Sequence, residues 1–211
     1  KHLNLIEQAL NLKKIIQIKH DPNKIIKDVE QINVLDLYLK QLKLIKTGRP
    51  SAHNYHLLVS RIFFEIFRNQ IGEPKIEQEI NQSRGRIDFT CKNNNKDGIF
   101  KNLKELRDIK CPEIMVECKN YENDLTNSEY GQLSDRLIPA RGMLGFLLCR
   151  DKKDKSKVLK HCQDRNKGGS NKFIIVLDDS DLIELANHKL NDEDDTSINA
   201  FIENKIKEII D

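Results

Sequence analysis

Apolar positions along the chain repeat in two rhythms, one of three and four residues and one of two. Leu3, Ile6, Leu10 and Ile18 follow a helical spacing that Asp21-Pro22 interrupts; Ile25, Val29, Ile32, Leu35, Leu39 and Leu42 then resume it, so residues 1–46 read as helix. Thr47-Gly48-Arg49-Pro50 is the clearest boundary. Ser51 can cap a strongly apolar helix to about Asn69, carrying Leu57, Leu58, Ile62, Phe63, Ile66 and Phe67, and Gly72 ends it. Strands are predicted over 75–81, 86–92 and 114–119, with a helix over 99–108 between the second and third. A helix then starts at Asn127 or Ser128 and ends near Pro139. Met143 to Cys149 and Phe173 to Leu177 are continuous apolar runs, the mark of strands buried on both faces, and a charged helix to about Arg165 separates them. Asp179 or Ser180 caps the next helix, and Ile198 to Ile210 forms a last amphipathic one.

That order, helix, three strands able to form a meander, then helix-strand-helix-strand-helix, predicts an α/β sandwich with a mixed β-sheet flanked by helices. Three regions follow: a helical N-terminal extension over 1–50, a core over 51–190 with an insertion at about 93–113, and a C-terminal helix over 191–211. The extension is expected to dock on the core or to belong with something upstream. A chain that opens on Lys1 rather than Met reads as a fragment of a longer protein.

Composition narrows the class. With 211 residues, 38% of them hydrophobic and 33% charged, the chain is long enough for a real core and too apolar for intrinsic disorder. No apolar run approaches the roughly 18–20 residues of a membrane helix, so no membrane partner is expected. Five cysteines without a CxxC pair indicate neither a disulfide framework nor a zinc ribbon and suit a reducing cytoplasm. The net charge of +3 advertises no nucleic-acid binder, but its distribution is uneven. Arg150 to Lys172 holds nine Lys or Arg against three Asp, and Asp178 to Asp195 reverses the sign with eight acids and one lysine. The basic tract fits either a phosphate backbone or a solvated loop.

Candidate chemistry comes from strand parity, since alternate side chains of a strand face opposite ways. In Arg86-Ile87-Asp88-Phe89-Thr90-Cys91, the apolar Ile87, Phe89 and Cys91 leave Arg86, Asp88 and Thr90 on the other face. In Ile114-Met115-Val116-Glu117-Cys118-Lys119, Ile114, Val116 and Cys118 leave Met115, Glu117 and Lys119 opposite. Pairing with the apolar faces aligned brings Asp88, Glu117 and Lys119 to one side, two carboxylates and an ammonium. Such oxygen donors suit Mg²⁺, or Mn²⁺ in its place.

Gly85-Arg86-Ile87-Asp88-Phe89 followed by Val116-Glu117-Cys118-Lys119-Asn120-Tyr121 resembles the PD-(D/E)XK, restriction-endonuclease-like nuclease superfamily, over roughly residues 54–185. The resemblance implies that fold and a Mg²⁺-dependent phosphodiesterase acting on nucleic acid, double-stranded DNA before RNA. It makes Asp88 and Glu117 metal ligands and Lys119 the catalytic lysine. An acid from the preceding helix, Glu65, joins the metal set by the same resemblance, and Gln132 in Tyr130-Gly131-Gln132-Leu133 faces the site from the next helix. It further implies a bacterial restriction or anti-phage effector, with a homodimer and an upstream sensor or motor domain as candidate partners. No proline precedes Asp88, and the stretch to Glu117 is long.

The E-x-K triplet alone says little in a chain where Glu73-Lys75, Asp108-Lys110, Asp151-Lys153 and Glu203-Lys205 share the pattern; only Glu117-Lys119 follows an apolar strand and an upstream Gly-Arg-Ile-Asp-Phe. Arg84, Arg86 and Arg141 are the candidate phosphate contacts, Arg86 foremost because it shares Asp88's face. Glu65 is equally well explained by pairing with Arg61 or Arg68. His53 and His56 lie at a helix start and His161-Cys162 has no spaced partner, so a ligand role is discounted for all three histidines. The competing readings are an ordinary charged sheet surface, a catalytically silent nucleic-acid-binding module on the same fold, and a protein-interaction domain.

Overall fold

Five strands form one mixed sheet in the computed structural model, which describes residues 33–80, 85–94, 96–192 and 194–211, with 77–80 and 85–86 described by backbone alone. The strands are β1 (Lys75–Ile80), β2 (Gly85–Lys92), β3 (Glu113–Lys119), β4 (Leu144–Cys149) and β5 (Phe173–Asp178), and they lie side by side in chain order. β1, β2 and β3 pair antiparallel, and β3, β4 and β5 pair parallel. The change of mode follows the connections. β1 and β2 are near enough in sequence for a hairpin, whereas parallel neighbours need a crossover, and a helix supplies each one. These are α4 (Asn127–Arg136), between β3 and β4, and α5 (Lys155–Asn166), between β4 and β5.

The remaining helices are α1 (Val34–Leu42), α2 (Ala52–Phe67), α3 (Ile99–Arg107), α6 (Asp179–Asn191) and α7 (Thr196–Ile210). Asn33 caps α1, its side chain accepting from the Leu35 N–H at 3.0 Å, and α1 sends Leu35, Leu39 and Leu42 into the main core. The earlier part of the predicted 1–46 helical region, Leu3 to Ile32, lies outside the described residues. A 3₁₀ turn over Arg49–Ser51, with Pro50 inside it, leads into α2.

Phe63 of α2 lies 5.8 Å from Phe89 and 5.1 Å from Phe146, ring centre to ring centre, so α2 covers the face that carries Ile87, Phe89, Val116 and Phe146. The other face belongs to α4, where Leu133 sits against Gly145 so closely that an added Cβ would stand 3.0 Å from its methyl carbons. β5 ends the sheet yet is buried along its whole length, with α5, α6 and α7 packed against it. Among the described residues, no helix is long and apolar enough to cross a membrane.

Two helix boundaries differ from the sequence reading for a local reason. α4 stops at Arg136, three residues before Pro139: Leu137 is already extended, and the proline disfavours helical backbone at Ile138. The cap of α6 is Asp178, whose side chain accepts from the Asp181 N–H at 2.9 Å. α3 sits between the far ends of β2 and β3, burying Ile99, Phe100 and Leu103, and Arg107 pairs with Glu203 of α7.

Candidate functional site

β2 and β3 pair from Phe89↔Val116 to Lys92↔Glu113. One further step in this register sets Asp88 opposite Glu117, and the ladder stops there. Beyond it the strands part. Cys118 N–H, which the register would aim at Ile87, donates instead to Asp88 Oδ2 at 2.7 Å. The Asp88 carboxylate therefore lies in the gap between the strands, within reach of both faces of the sheet. From the α2 side comes His56, its Nδ1 3.5 Å from Asp88 Oδ1.

On the α4 side stands Glu117, its side chain only 4% exposed. Lys119, two residues on and on the same face, places Nζ 3.6 Å from Glu117 Oε2, and the Arg136 guanidinium pairs with Oε1. Asp88, Lys119 and Arg136 are 21%, 18% and 16% exposed. The formal charges of two carboxylates and two cations cancel, and pairing with both cations offsets the cost of burying the Glu117 carboxylate. Burial pulls the Arg136 pKa down while the charge of Asp88 opposes the shift. Burial also pushes the Cys118 thiol well above its ordinary range, with Asp88 adding to the effect, so Cys118 is a packing group and no thiolate nucleophile.

The next residue ties this end of the sheet to the chain's earlier part. Buried Asn120 donates from Nδ2 to the carbonyls of Lys46 at 3.1 Å and Gly48 at 2.9 Å, and Gly48 N–H donates to the Asn120 carbonyl at 2.7 Å. Gly48 has φ 107°, a backbone conformation that favours glycine. A second charged group adjoins at the carboxyl ends of β4 and β5. Tyr55 donates to Asp179 Oδ1 at 3.0 Å, and Arg150 lies 3.3 Å from Oδ2 and over the Tyr55 ring. Burial raises the Asp179 carboxyl to about 6 against the opposing pull of Arg150. Beside it, Lys152 pairs with Asp178 and Asp181.

Of the residues singled out from sequence, Asp88, Glu117 and Lys119 meet. Gln132 shares Arg136's face of α4, one turn earlier, and is exposed. Glu65 pairs with Arg68 at 3.2 Å. It lies nine residues after His56, half a turn out of phase and about 13 Å along the helix. Arg141 pairs with Glu113 at 3.5 Å, at the other end of β3 from Lys119, about 20 Å away by strand rise. Arg84 lies outside the described residues, and the backbone of Arg86 pairs opposite Glu79 on β1. His56 and Arg136 are the two contributors that the sequence reading passed over. In sequence, Arg136 looks like a cation closing a helix and His56 like a polar residue beside an apolar stripe.

Among the described residues, no three His, Cys, Asp or Glu side chains are arranged as a ready metal cage. Asp88 and Glu117 nonetheless fit a hard divalent ion. Mg²⁺ draws on one or two protein carboxylates and takes its other oxygens from water and phosphate, and each carboxylate has more lone pairs than it uses here. No family model, curated protein or solved structure matches this chain.

Proposed function

We propose that this chain is a Mg²⁺-dependent nuclease domain of the restriction-endonuclease-like fold, cutting phosphodiester bonds in double-stranded DNA. The observation that carries the reading is the meeting of Asp88, Glu117 and Lys119 where β2 and β3 part, with the ladder ending at the acids. Asp88 and Glu117 are the residues that would hold the ion, whose chemistry is to polarise the phosphate and acidify water. Cys118 N–H fixes Asp88 through Oδ2, and His56 stands 3.5 Å from its second oxygen. Lys119, with Nζ 3.6 Å from Glu117, orients the attacking water and stabilises charge that develops on the phosphate oxygens. Restriction or anti-phage defence in a bacterial cytoplasm, a homodimer and an upstream sensor or motor domain complete the proposal by the resemblance of these motifs.

Cleavage of duplex and single-stranded DNA and RNA with Mg²⁺ tests it. Duplex DNA is cut, EDTA abolishes cutting, and Asp88→Ala, Glu117→Gln and Lys119→Ala each lower the rate at least about 100-fold, the scale of a positioned acid–base or charge-stabilising group. Undiminished cutting by Asp88→Ala and Lys119→Ala proteins defeats the mechanism. One observation favours a second reading, a catalytically silent nucleic-acid-binding module: both oxygens of Glu117 are already paired with protein cations. Salt-sensitive DNA binding without cleavage selects it.

A further inference from the structure

The pairing of Glu117 leaves a problem for any nuclease reading. A divalent ion shared by Asp88 and Glu117 must approach Glu117 from the Asp88 side. Arg136 pairs with Glu117 Oε1, so it already holds an oxygen that the ion needs. Lys119, two residues along the same strand, meets the other oxygen, Oε2, at 3.6 Å. Arg136 is different. It reaches Glu117 from the last residue of α4, on a long side chain that can turn away while the helix stays in place.

Resting on the nuclease reading, we infer that Arg136 is a resident counter-cation, which holds Glu117 until a divalent ion replaces it and then turns its guanidinium to the phosphodiester. Charge accounts for both halves. Asp88 and Glu117 with Lys119 and Arg136 sum to zero, so the buried carboxylate is stable without an ion. A divalent ion in Arg136's place raises the group to +2 with Arg136 still nearby, and a surplus in a half-buried pocket attracts an anion. A guanidinium is well suited to that duty, since its planar fork binds two phosphate oxygens at once. The arrangement makes metal loading and substrate binding cooperative: with no ion, Arg136 stays on Glu117 and is withheld from phosphate.

The test is a calorimetric titration of the whole chain with Mn²⁺ alone, in the absence of nucleic acid, followed by cleavage at saturating Mn²⁺. Arg136→Met binds Mn²⁺ at least about tenfold tighter than wild type, a change equal to ~1.4 kcal/mol. Arg68→Met, which removes the same charge from the exposed surface, stays within about twofold, the size expected where a surface ion pair is worth little. Without metal, the Arg136→Met protein melts below wild type, and Mn²⁺ raises its melting temperature by more than it raises that of wild type. At saturating Mn²⁺ it cuts DNA at least about tenfold more slowly, as loss of one phosphate clamp entails, and Arg136→Lys recovers part of the rate. Should Arg136→Met not fold, Arg136→Gln takes its place, since it can donate to Glu117 without charge. Mn²⁺ affinity equal to or weaker than wild type in the neutral variant overturns the inference while leaving a DNA-cutting wild type intact. Absence of Mn²⁺ binding and of cleavage in every protein, wild type included, overturns the nuclease reading and this inference together.

Discussion

Asp179 shows how one residue records its surroundings. Burial raises its carboxyl to about 6, although Arg150 and the Tyr55 hydroxyl both oppose the shift. A carboxyl with a raised folded-state pKa holds its proton more tightly folded than unfolded. Its contribution favours the fold below the ordinary aspartate range and is lost as pH rises through about 6. Asp179→Asn has no such titration. Between pH 4 and pH 7, wild type therefore loses stability relative to the variant, by up to about 3 kcal/mol at ~1.4 kcal/mol for each pKa unit. Urea denaturation of both proteins at the two pH values measures the difference, and parallel behaviour would mean that Asp179 ionises as it does in water.

At the scale of elements, the placing of α4 decides which residue reaches the acids. Leu133 rests on Gly145, and one turn beyond the same contact Arg136 meets Glu117. Gly145→Val inserts side-chain carbon where the space is already filled by Leu133. It is expected to destabilise the protein by about 1–3 kcal/mol, the usual cost of overpacking, read from urea denaturation midpoints. The same contact explains what could be read without coordinates. Asp88, Glu117 and Lys119 share a side because strand parity has a period of two, and the apolar Ile87, Phe89, Val116 and Cys118 declare the buried face. Parity needs only the sequence. The helices are harder. Gln132 and Arg136 are one turn apart on a single face, and which of them lies over Glu117 depends on how far α4 slides along the sheet, a distance set by Leu133 and Gly145. His56 and Glu65 pose a question of phase as well as position. The stripe of Leu58, Ile62 and Ile66 orients α2, but only the docked helix shows that its first turn reaches the gap at Asp88.

For the molecule as a whole, the mixed sheet brings the Glu117 and Asp179 groups to one end. Lys119, Cys149 and Asp178 stand in register at the carboxyl ends of three parallel strands, and Asp88 lies where the antiparallel pair opens beside them. The opposite end carries α3 with its apolar residues turned inward. Long-range hydrogen bonds hold the charged end to the α1–α2 connection. Asn120→Ala removes the donor to both carbonyls, and since Gly48 keeps the Ser51 N–H at 3.2 Å, the expected cost is the net worth of the two lost bonds, about 0.5–1.5 kcal/mol each. Thermal and urea unfolding measure that loss. Asn120 is also the peptide neighbour of Lys119. A tug on the amino-terminal side of Gly48 is thus delivered by covalent and hydrogen bonds to the root of that lysine, without passing through the aromatic core. The link is short, three hydrogen bonds and one peptide unit from the α1–α2 connection to the backbone of Lys119.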